Sequence, residues 1–522
     1  MGVISTAILC GLIAILFFTS PRSEDFWWTD AASFALNGDL IRDYVASGLH
    51  QSPMAFANGW FRHYPALTIS LYPPIFPIAE AIAFGLFGFS HPVAQATVSA
   101  FAGLAAYGSY RLARTTTGPL EAAGGVLLMF SAPGMLLWSR QVVMEVPSLA
   151  FLLLASLCLL RFQAGRRSRD LIIATLLTLC AVYTKQTAIF AAPAFALALI
   201  VSDGWRLLRD RTTWAAAGLG IVGLVPLAVF TVATAPEMLA IALNQGIAAH
   251  ADGGLQAGGH FAQAKAYVLA LPDIVGWPLL VAAVCYLASV ACLGWRGPAE
   301  RRLAILMLAW FGCDFLFISA TGHFEVRYAM ALGVPCALFS LMLLSRMLTP
   351  SIRPVAILAA GAAVLGFFLW TQPVFRMSGY DKVAAYVLQH SAQNDVIWFQ
   401  GSESKNLVFS LRSHQPTPKL FVLRAEKFLT DYHIVREWGG TDRGWTTDAL
   451  QAMADRQHIA MVVLQPGFWA DLPSMKLMQD YILSDRFRQV AEFKITADEP
   501  SQRSTIKVFV NQRPAITTGS SN

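Results

Sequence analysis

The sequence predicts a polytopic α-helical membrane protein with a C-terminal α/β domain, and three observations carry that prediction. The 522 residues are 56% hydrophobic and 13% charged, with a mean hydropathy of +0.52, a balance that suits lipid and leaves few charges for a water-facing surface. Apolar runs of spanning length recur along most of the chain. After Trp370 the composition changes, and helix-like runs alternate with β-rich ones.

Eleven spans are read at 2–19, 92–113, 119–138, 143–162, 169–184, 187–202, 213–235, 268–293, 302–320, 326–348 and 354–372. The first lacks the basic leader and the A-x-A site of a signal peptide, so an uncleaved span is expected. The short pair 169–184 and 187–202 meets at Tyr183-Thr184-Lys185-Gln186 and reads as a hairpin. Alternate loops differ in basic residues: fourteen in the set that runs from Arg111 to Arg353, and seven in the other, which holds Arg22, Arg42, Arg62, Arg140, Lys185, Lys265 and Arg327. The richer set is expected on the cytoplasmic side. The N-terminus is then cytoplasmic, and the loop after the first span and the C-terminus are extracytoplasmic.

The stretch 73–90 begins with Pro73-Pro74-Ile75-Phe76-Pro77 and ends at Gly88. A crossing there would invert every later loop, so it is read as an interfacial or re-entrant helix. The first outer loop, 20–72, is expected to hold amphipathic helices near 29–48 and 52–63. The second, 236–267, is rich in Gly and Ala. Residues 1–372 form the transmembrane domain in this reading, 376–515 a small α/β domain, and 516–522 a disordered tail. Helices are expected at 380–391, 446–457 and 474–484, and strands at 395–399, 419–423, 459–464, 487–495 and 505–510.

The net charge of +6 is spread over short loops and is no nucleic-acid footprint. All seven cysteines lie in apolar runs and no CxxC occurs, which leaves neither a disulfide framework nor a zinc site.

Polar residues assigned to the outer face come from well-separated parts of the chain: Glu24, Asp25 and Asp30; His63 and Tyr64; Tyr72; Arg140 and Glu145; Tyr183 and Lys185; His323, Glu325, Arg327 and Tyr328. Fixed cations neutralise phosphate oxygens, and a carboxylate takes the proton of an attacking hydroxyl, so the mixture suits a phosphate-bearing substrate. Each has a plainer reading. Glu24-Asp25 can simply end a helix, Arg140 and Glu145 can pair as helix ends, and Lys185 can snorkel to headgroups. Arg327-Tyr328 can anchor at the interface, His63 can be an ordinary loop histidine, and Asp314 a hydrogen-bonded core residue.

Several motifs, in order, resemble those of the polyprenyl-phosphate-sugar-dependent glycosyltransferases of GT-C fold, which include the protein O-mannosyltransferases and aminoarabinose transferases. They are Glu24-Asp25-Phe26-Trp27-Trp28 running to Leu36-Asn37-Gly38; Tyr72-Pro73-Pro74-Ile75 leading to Leu86-Phe87-Gly88; Ser139-Arg140 through Glu145-Val146-Pro147-Ser148; Lys185 in its hairpin; and Arg327-Tyr328 through Pro335. The resemblance covers about residues 1–350. The family pair is usually Asp then Glu, and here the order is reversed, with Glu24 at the family's Asp position.

The resemblance implies a GT-C fold of about eleven spans in a bacterial inner membrane. It implies inverting transfer of a hexose or pentose from a polyprenyl-phosphate donor to a hydroxyl at the extracytoplasmic face. Arg327, Arg140 and Lys185 would hold the donor phosphate. Glu24 or Asp25 would be the base, with Glu145 a further catalytic carboxylate. His63, Tyr64, Tyr72, Tyr328 and Glu325 would contact substrate. The acceptor is a protein, a glycolipid or a polysaccharide. No cofactor is firmly implied; some relatives use a divalent metal, and no spacing here demands one. Two other readings stand beside the enzyme. A flippase or transporter for a lipid-linked precursor would need polar residues through the bilayer depth, whereas these cluster at one face. A non-catalytic assembly factor would act through its α/β domain.

Overall fold

Each of the eleven apolar runs falls on one or more helices of the computed structural model, which describes residues 2–234, 259–321, 324–415, 417–432, 436 and 440–512. Six helices are long and apolar enough to cross a membrane on their own: Glu145–Gly165, Gln186–Leu207, Arg211–Thr234, Pro298–Ala320, Val326–Met347 and Arg353–Thr371. A seventh arises if one bent pair counts as a single span. Val3–Thr19, Ile75–Phe87 and Pro119–Ser131 are apolar but shorter.

The bent pair corrects one expectation. The run 268–293 reads as a single span in sequence, but the helix ends at Val275 and restarts at Trp277 at an angle of 109°. Gly276 takes φ +89°, a conformation that L side chains rarely adopt, and Pro278 follows inside the first turn of the next helix. The preceding helix already begins at Gly259, so the last residues of the expected loop 236–267 are helical. The rest of that loop, 236–258, lies outside the described residues, as does the expected tail 516–522.

Contacts divide the chain into two compact units: Met1–Ser20, Ile69–Ala79 and Gln95–Val374 in one, Pro21–Thr68, Glu80–Ala94 and Phe375–Asn522 in the other. The sequence reading assigned the loop 20–72 to the transmembrane domain, whereas contacts group 21–68 with the C-terminal residues. The physical reason lies in the burial of 31–40, where ten successive residues are covered. A helix exposed in a loop could not hide both faces.

In the first unit, small residues set the helix spacing. A Cβ on Gly124 would lie 2.8 Å from the Ile357 carbonyl oxygen, and one on Gly361 would lie 2.6 Å from the Gly124 carbonyl oxygen. Helices Pro119–Ser131 and Arg353–Thr371 therefore meet backbone to backbone, as small residues permit in lipid. Two expected spans begin with short 3-10 turns, Gln186–Phe190 before Ala191–Asp203 and Val326–Leu332 before Gly333–Met347. The run 119–138 is interrupted where Pro133 opens a new helix, Pro133–Trp138. These breaks bring polar residues to helix ends.

The second unit is built on a six-stranded sheet. Its strands are β1 (Met377–Ser378), β2 (Val396–Gln400), β3 (Phe421–Arg424), β6 (Ile459–Leu464), β7 (Phe487–Ala497) and β8 (Ser504–Asn511), in the order β1-β7-β8-β6-β2-β3. β4 (Thr430–Tyr432) and β5 (Gly440–Asp442) pair separately. β2 runs parallel to both β3 and β6, while β7 and β8 are antiparallel. The apolar strings Ile397-Trp398-Phe399 and Met461-Val462-Val463-Leu464 are buried, as parallel strands covered on both faces should be. All five expected strands and all three expected helices form. Helix Ser404–Ser413, which the sequence reading passed over, packs on helix Thr29–Ala46.

Candidate functional site

In the first unit, three chain breaks converge on one carboxylate. Glu145 opens the helix Glu145–Gly165. Lys185 lies between the helix Ser168–Val182 and the 3-10 turn that follows. Arg327 and Tyr328 lie in the 3-10 turn Val326–Leu332. Two hydrogen bonds fix the hairpin: Tyr183 O accepts from Ile75 N at 3.1 Å, and the Gln186 side-chain Nε2 donates to Leu71 O at 2.9 Å.

Lys185 Nζ donates to Glu145 Oε1, and Arg327 Nε lies 3.4 Å from the same oxygen. Glu325 Oε1 is 3.9 Å from Arg327 Nε. The Tyr328 ring is shared by both cations, with Lys185 Nζ 4.7 Å and Arg327 Cζ 5.5 Å from its centre. The side chains of Glu145, Lys185 and Arg327 are 5–6% exposed. Beside them is a cavity of about 30 Å³, also lined by Asp314 and Ser148, room for one or two waters. Glu145 Oε2 and Asp314 Oδ2 are buried without a hydrogen-bond partner among the described residues. Buried polar atoms in native folds are nearly always satisfied, so orphans beside a cavity mark a place where something else binds.

Of the residues expected from sequence, Glu145, Lys185, Glu325, Arg327 and Tyr328 come together here. Arg140 does not join them: it is buried, its Nε donates to Leu136 O at 3.0 Å, and it makes no ion pair with Glu145. Tyr72 is half-buried, just ahead of the helix Ile75–Phe87. Asp314 was read only as a core residue. Its one signal was being the lone carboxylate inside the run 302–320.

The second unit holds the carboxylate pair. Asp25 forms a β-bridge with Met377, and its Oδ2 accepts the amide of Tyr380 at 2.7 Å, at the start of the helix Tyr380–His390. Burial pushes its carboxyl up to about 7 against the pull of that amide. The next residue is clamped: Phe26 N donates to Asn406 Oδ1 at 3.0 Å, and Asn406 Nδ2 donates to Phe26 O at 2.9 Å. Glu24 is freer. Its Oε1 is 3.3 Å from Arg376 Nη1, and its Oε2 has no hydrogen-bond partner among the described residues.

His63 and Tyr64, expected at substrate, are held by packing in this unit. His63 Nδ1 donates to Leu420 O at 2.7 Å, and its ring stacks on Phe421 at 4.2 Å. Tyr64 lies on Trp60 at 4.6 Å, with Arg412 Cζ 5.6 Å from its ring centre. Among the described residues no three His, Cys, Asp or Glu side chains are grouped so as to hold a metal ion.

Residues 72–230 match the family model of dolichyl-phosphate-mannose-protein mannosyltransferases. No curated protein matches the chain by sequence. Its fold is similar to that of ArnT from Cupriavidus metallidurans bound to undecaprenyl phosphate, with a TM-score of 0.61 and 15% identity over 96% of this chain and 97% of that one. The apo form of the same ArnT gives 0.61 and 16%, with the same coverage. The oligosaccharyltransferase of Archaeoglobus fulgidus in complex with Zn and sulfate gives 0.52 and 11% over 87% of this chain and 67% of that one. The chain thus has the GT-C fold that it shares with ArnT, with a C-terminal sheet domain.

Proposed function

We propose that this protein transfers a sugar from a polyprenyl-phosphate donor to an acceptor hydroxyl at the extracytoplasmic face of a bacterial inner membrane. The observation that carries the reading is the buried pairing of Lys185 and Arg327 on a single Glu145 oxygen. Both cations line the cavity, where a phosphate group can meet them; Glu145 and, 3.9 Å from Arg327, Glu325 are the carboxylates already beside them. Glu145 holds both in place until the donor arrives, which spares reorganisation during reaction. As the sugar leaves, negative charge grows on the lipid phosphate, and the two cations stabilise it there. ArnT with its undecaprenyl phosphate supports a lipid-phosphate donor by analogy of fold.

The acceptor hydroxyl must lose its proton as its oxygen attacks the anomeric carbon with inversion. Of the pair, Glu24 suits the base and Asp25 does not. Asp25 Oδ2 is committed to the Tyr380 amide, while Glu24 keeps an oxygen with no hydrogen bond among the described residues. This assigns the base to the position that the family fills with Asp.

The test uses membranes from a deletion strain. Mass spectrometry of envelope glycans and lipid-linked sugars identifies the missing modification, and purified variants are then assayed for it. Loss of transfer in Glu24→Gln and in Lys185→Gln with intact folding is the expected result. An unchanged glycan profile in the deletion strain contradicts the reading.

A further inference from the structure

A second cavity, of about 350 Å³, lies in the first unit and is lined by Ser202, Asp203, Trp295, Gly297, Pro298, Arg301 and Arg302. It is at the end of helices Ala191–Asp203 and Pro298–Ala320 opposite to Lys185 and Asp314; the sixteen helical rises from Pro298 to Asp314 span roughly 24 Å of axis. This is the end that carries the basic loops. It belongs to no step of the proposed transfer, and its volume falls within the range of small-ligand sites.

Its walls carry unmatched polar chemistry. The side chains of Arg301 and Arg302 make no hydrogen bond or ion pair with a described residue. The neighbouring arginines are committed: Arg346 to Glu300 at 2.7 Å, Arg353 to Glu121 at 2.8 Å, and Arg296 to the Ser345 carbonyl at 3.0 Å. The Asp203 side chain is nine-tenths buried, its Oδ1 paired with Arg166, while Asp203 Oδ2 and Ser202 Oγ are buried with no hydrogen-bond partner among the described residues. Two free guanidinium groups call for a phosphate. A buried carboxylate oxygen and a hydroxyl that both lack a donor call for a group with N–H bonds. Trp295 adds an aromatic face for a cation.

We propose that this cavity binds the zwitterionic headgroup of a phosphoethanolamine lipid, the phosphate on Arg301 and Arg302 and the primary ammonium on Asp203 Oδ2 and Ser202 Oγ. A quaternary ammonium has no N–H to give those two oxygens, and an anionic glycerol headgroup places no positive charge beside Asp203. The source is a lipid because the elements that form the cavity expose large apolar side chains close by. Trp205, two residues past Asp203, is 74% exposed, and Leu293, two residues before Trp295, is 81% exposed. An indole beside basic residues is what a bilayer interface selects.

Native mass spectrometry of the full-length protein in detergent tests this, with short-chain phosphatidylethanolamine, phosphatidylcholine and phosphatidylglycerol as separate probes and soluble phosphoethanolamine as competitor. The expected result is retention of one phosphatidylethanolamine about tenfold more tightly than either other lipid. The Arg301→Gln/Arg302→Gln double variant is expected to lose that lipid. Asp203→Asn should erase the preference for the amine while Arg166→Gln keeps it, which separates the headgroup contact from the Arg166 ion pair. Equal retention of the three lipids overturns the proposal, as does undiminished retention by the arginine double variant. Displacement by soluble phosphoethanolamine as effective as by the lipid assigns the site to a soluble metabolite and also overturns it. The melting temperature of the arginine variant, whose substitutions touch no internal ion pair, verifies that the loss is not unfolding.

Discussion

Each unit buries a charge cluster, and the two are built to opposite ends. In the second unit, Arg412 Nε donates to Asp39 Oδ2 at 2.6 Å, and its Nη2 donates to Asp43 Oδ2 at 2.9 Å. Arg42 Nη2 lies 2.7 Å from Asp39 and 2.8 Å from Asp43, and Trp60 Nε1 donates to Asp43 Oδ2 at 3.0 Å. Two arginines meet two aspartates, with further donors filling in. No cavity is needed to explain it: the cluster ties helix Thr29–Ala46 to helix Ser404–Ser413. In the first unit, two cations share one Glu145 oxygen, Glu325 lies 3.9 Å from Arg327, and carboxylate oxygens of Glu145 and Asp314 beside the cavity have no hydrogen bond among the described residues. A cluster whose partners tie two helices together holds a fold; one that lines a cavity is set up for a ligand. The same chemistry, buried arginine with buried carboxylate, therefore has two meanings, and the cavity beside Glu145 tells them apart.

Mutations can break this contrast, and the largest effects should fall on activity. Lys185→Gln and Arg327→Gln are each expected to cut the transfer rate about 10²–10³-fold, the cost of losing one fixed stabiliser of developing charge. Melting temperature should move little, because Glu145 keeps its other cation; a collapse in melting temperature instead would make the cluster structural. Glu24→Gln should lower turnover by about 10²–10⁴-fold, as loss of a general base does. Asp25→Asn should keep most activity per folded molecule. If the two variants behave the other way round, the base is Asp25.

Next in size is stability. Arg412→Met leaves Asp39 buried without its main partner and is expected to cost about 3–5 kcal/mol, read by chemical denaturation, with transfer by the surviving folded protein unchanged. A variant that stays stable but loses activity would bring this cluster into the mechanism.

A pH effect follows from burial. Burial raises Asp25 from 3.8 to about 7 and Asp39 from 3.8 to about 6, the second against the pull of Arg412. A carboxyl with a raised folded pKa holds its proton longer in the folded state than in the unfolded chain, so stability falls as pH rises from about 4 toward each folded value. Thermal melts of wild type across that window should slope downward, and Asp25→Asn should flatten the part between about 6 and 7. An unchanged slope removes Asp25 as its source. The smallest effect expected is that of Gly38→Ala. Its new Cβ would lie 2.6 Å from Glu80 Cβ, an overpacking worth about 1–3 kcal/mol in denaturation experiments.

The helical runs were legible because lipid imposes one pattern, long apolar stretches. The bend at Gly276 was not, since an apolar run reads the same whether the helix is straight or broken. The strands were legible from β-branched and aromatic residues such as Val396-Ile397-Trp398-Phe399, while helix Ser404–Ser413 was missed because its apolar residues are few. Order and common sidedness singled out Glu145, Lys185, Arg327 and Tyr328, which the structure brings together. Arg140 looks the same in sequence, yet its guanidinium turns back to the preceding helix at Leu136. Sidedness fixes depth in a membrane and not direction around a helix, so it cannot separate Arg140 from Arg327. The partnership of Asp39 and Asp43 with Arg412 spans some 370 positions, beyond the reach of any local pattern.

The central claim is that Lys185 and Arg327 form the seat of the donor phosphate, and binding of undecaprenyl phosphate to the purified protein tests it most directly. Titration of wild type against Lys185→Gln/Arg327→Gln, with matched melting curves, should show at least about a hundredfold weaker binding in the variant, the worth of two charge-assisted contacts. Equal affinity in the two proteins contradicts the claim and returns the cluster to the rank of a buried structural ion pair.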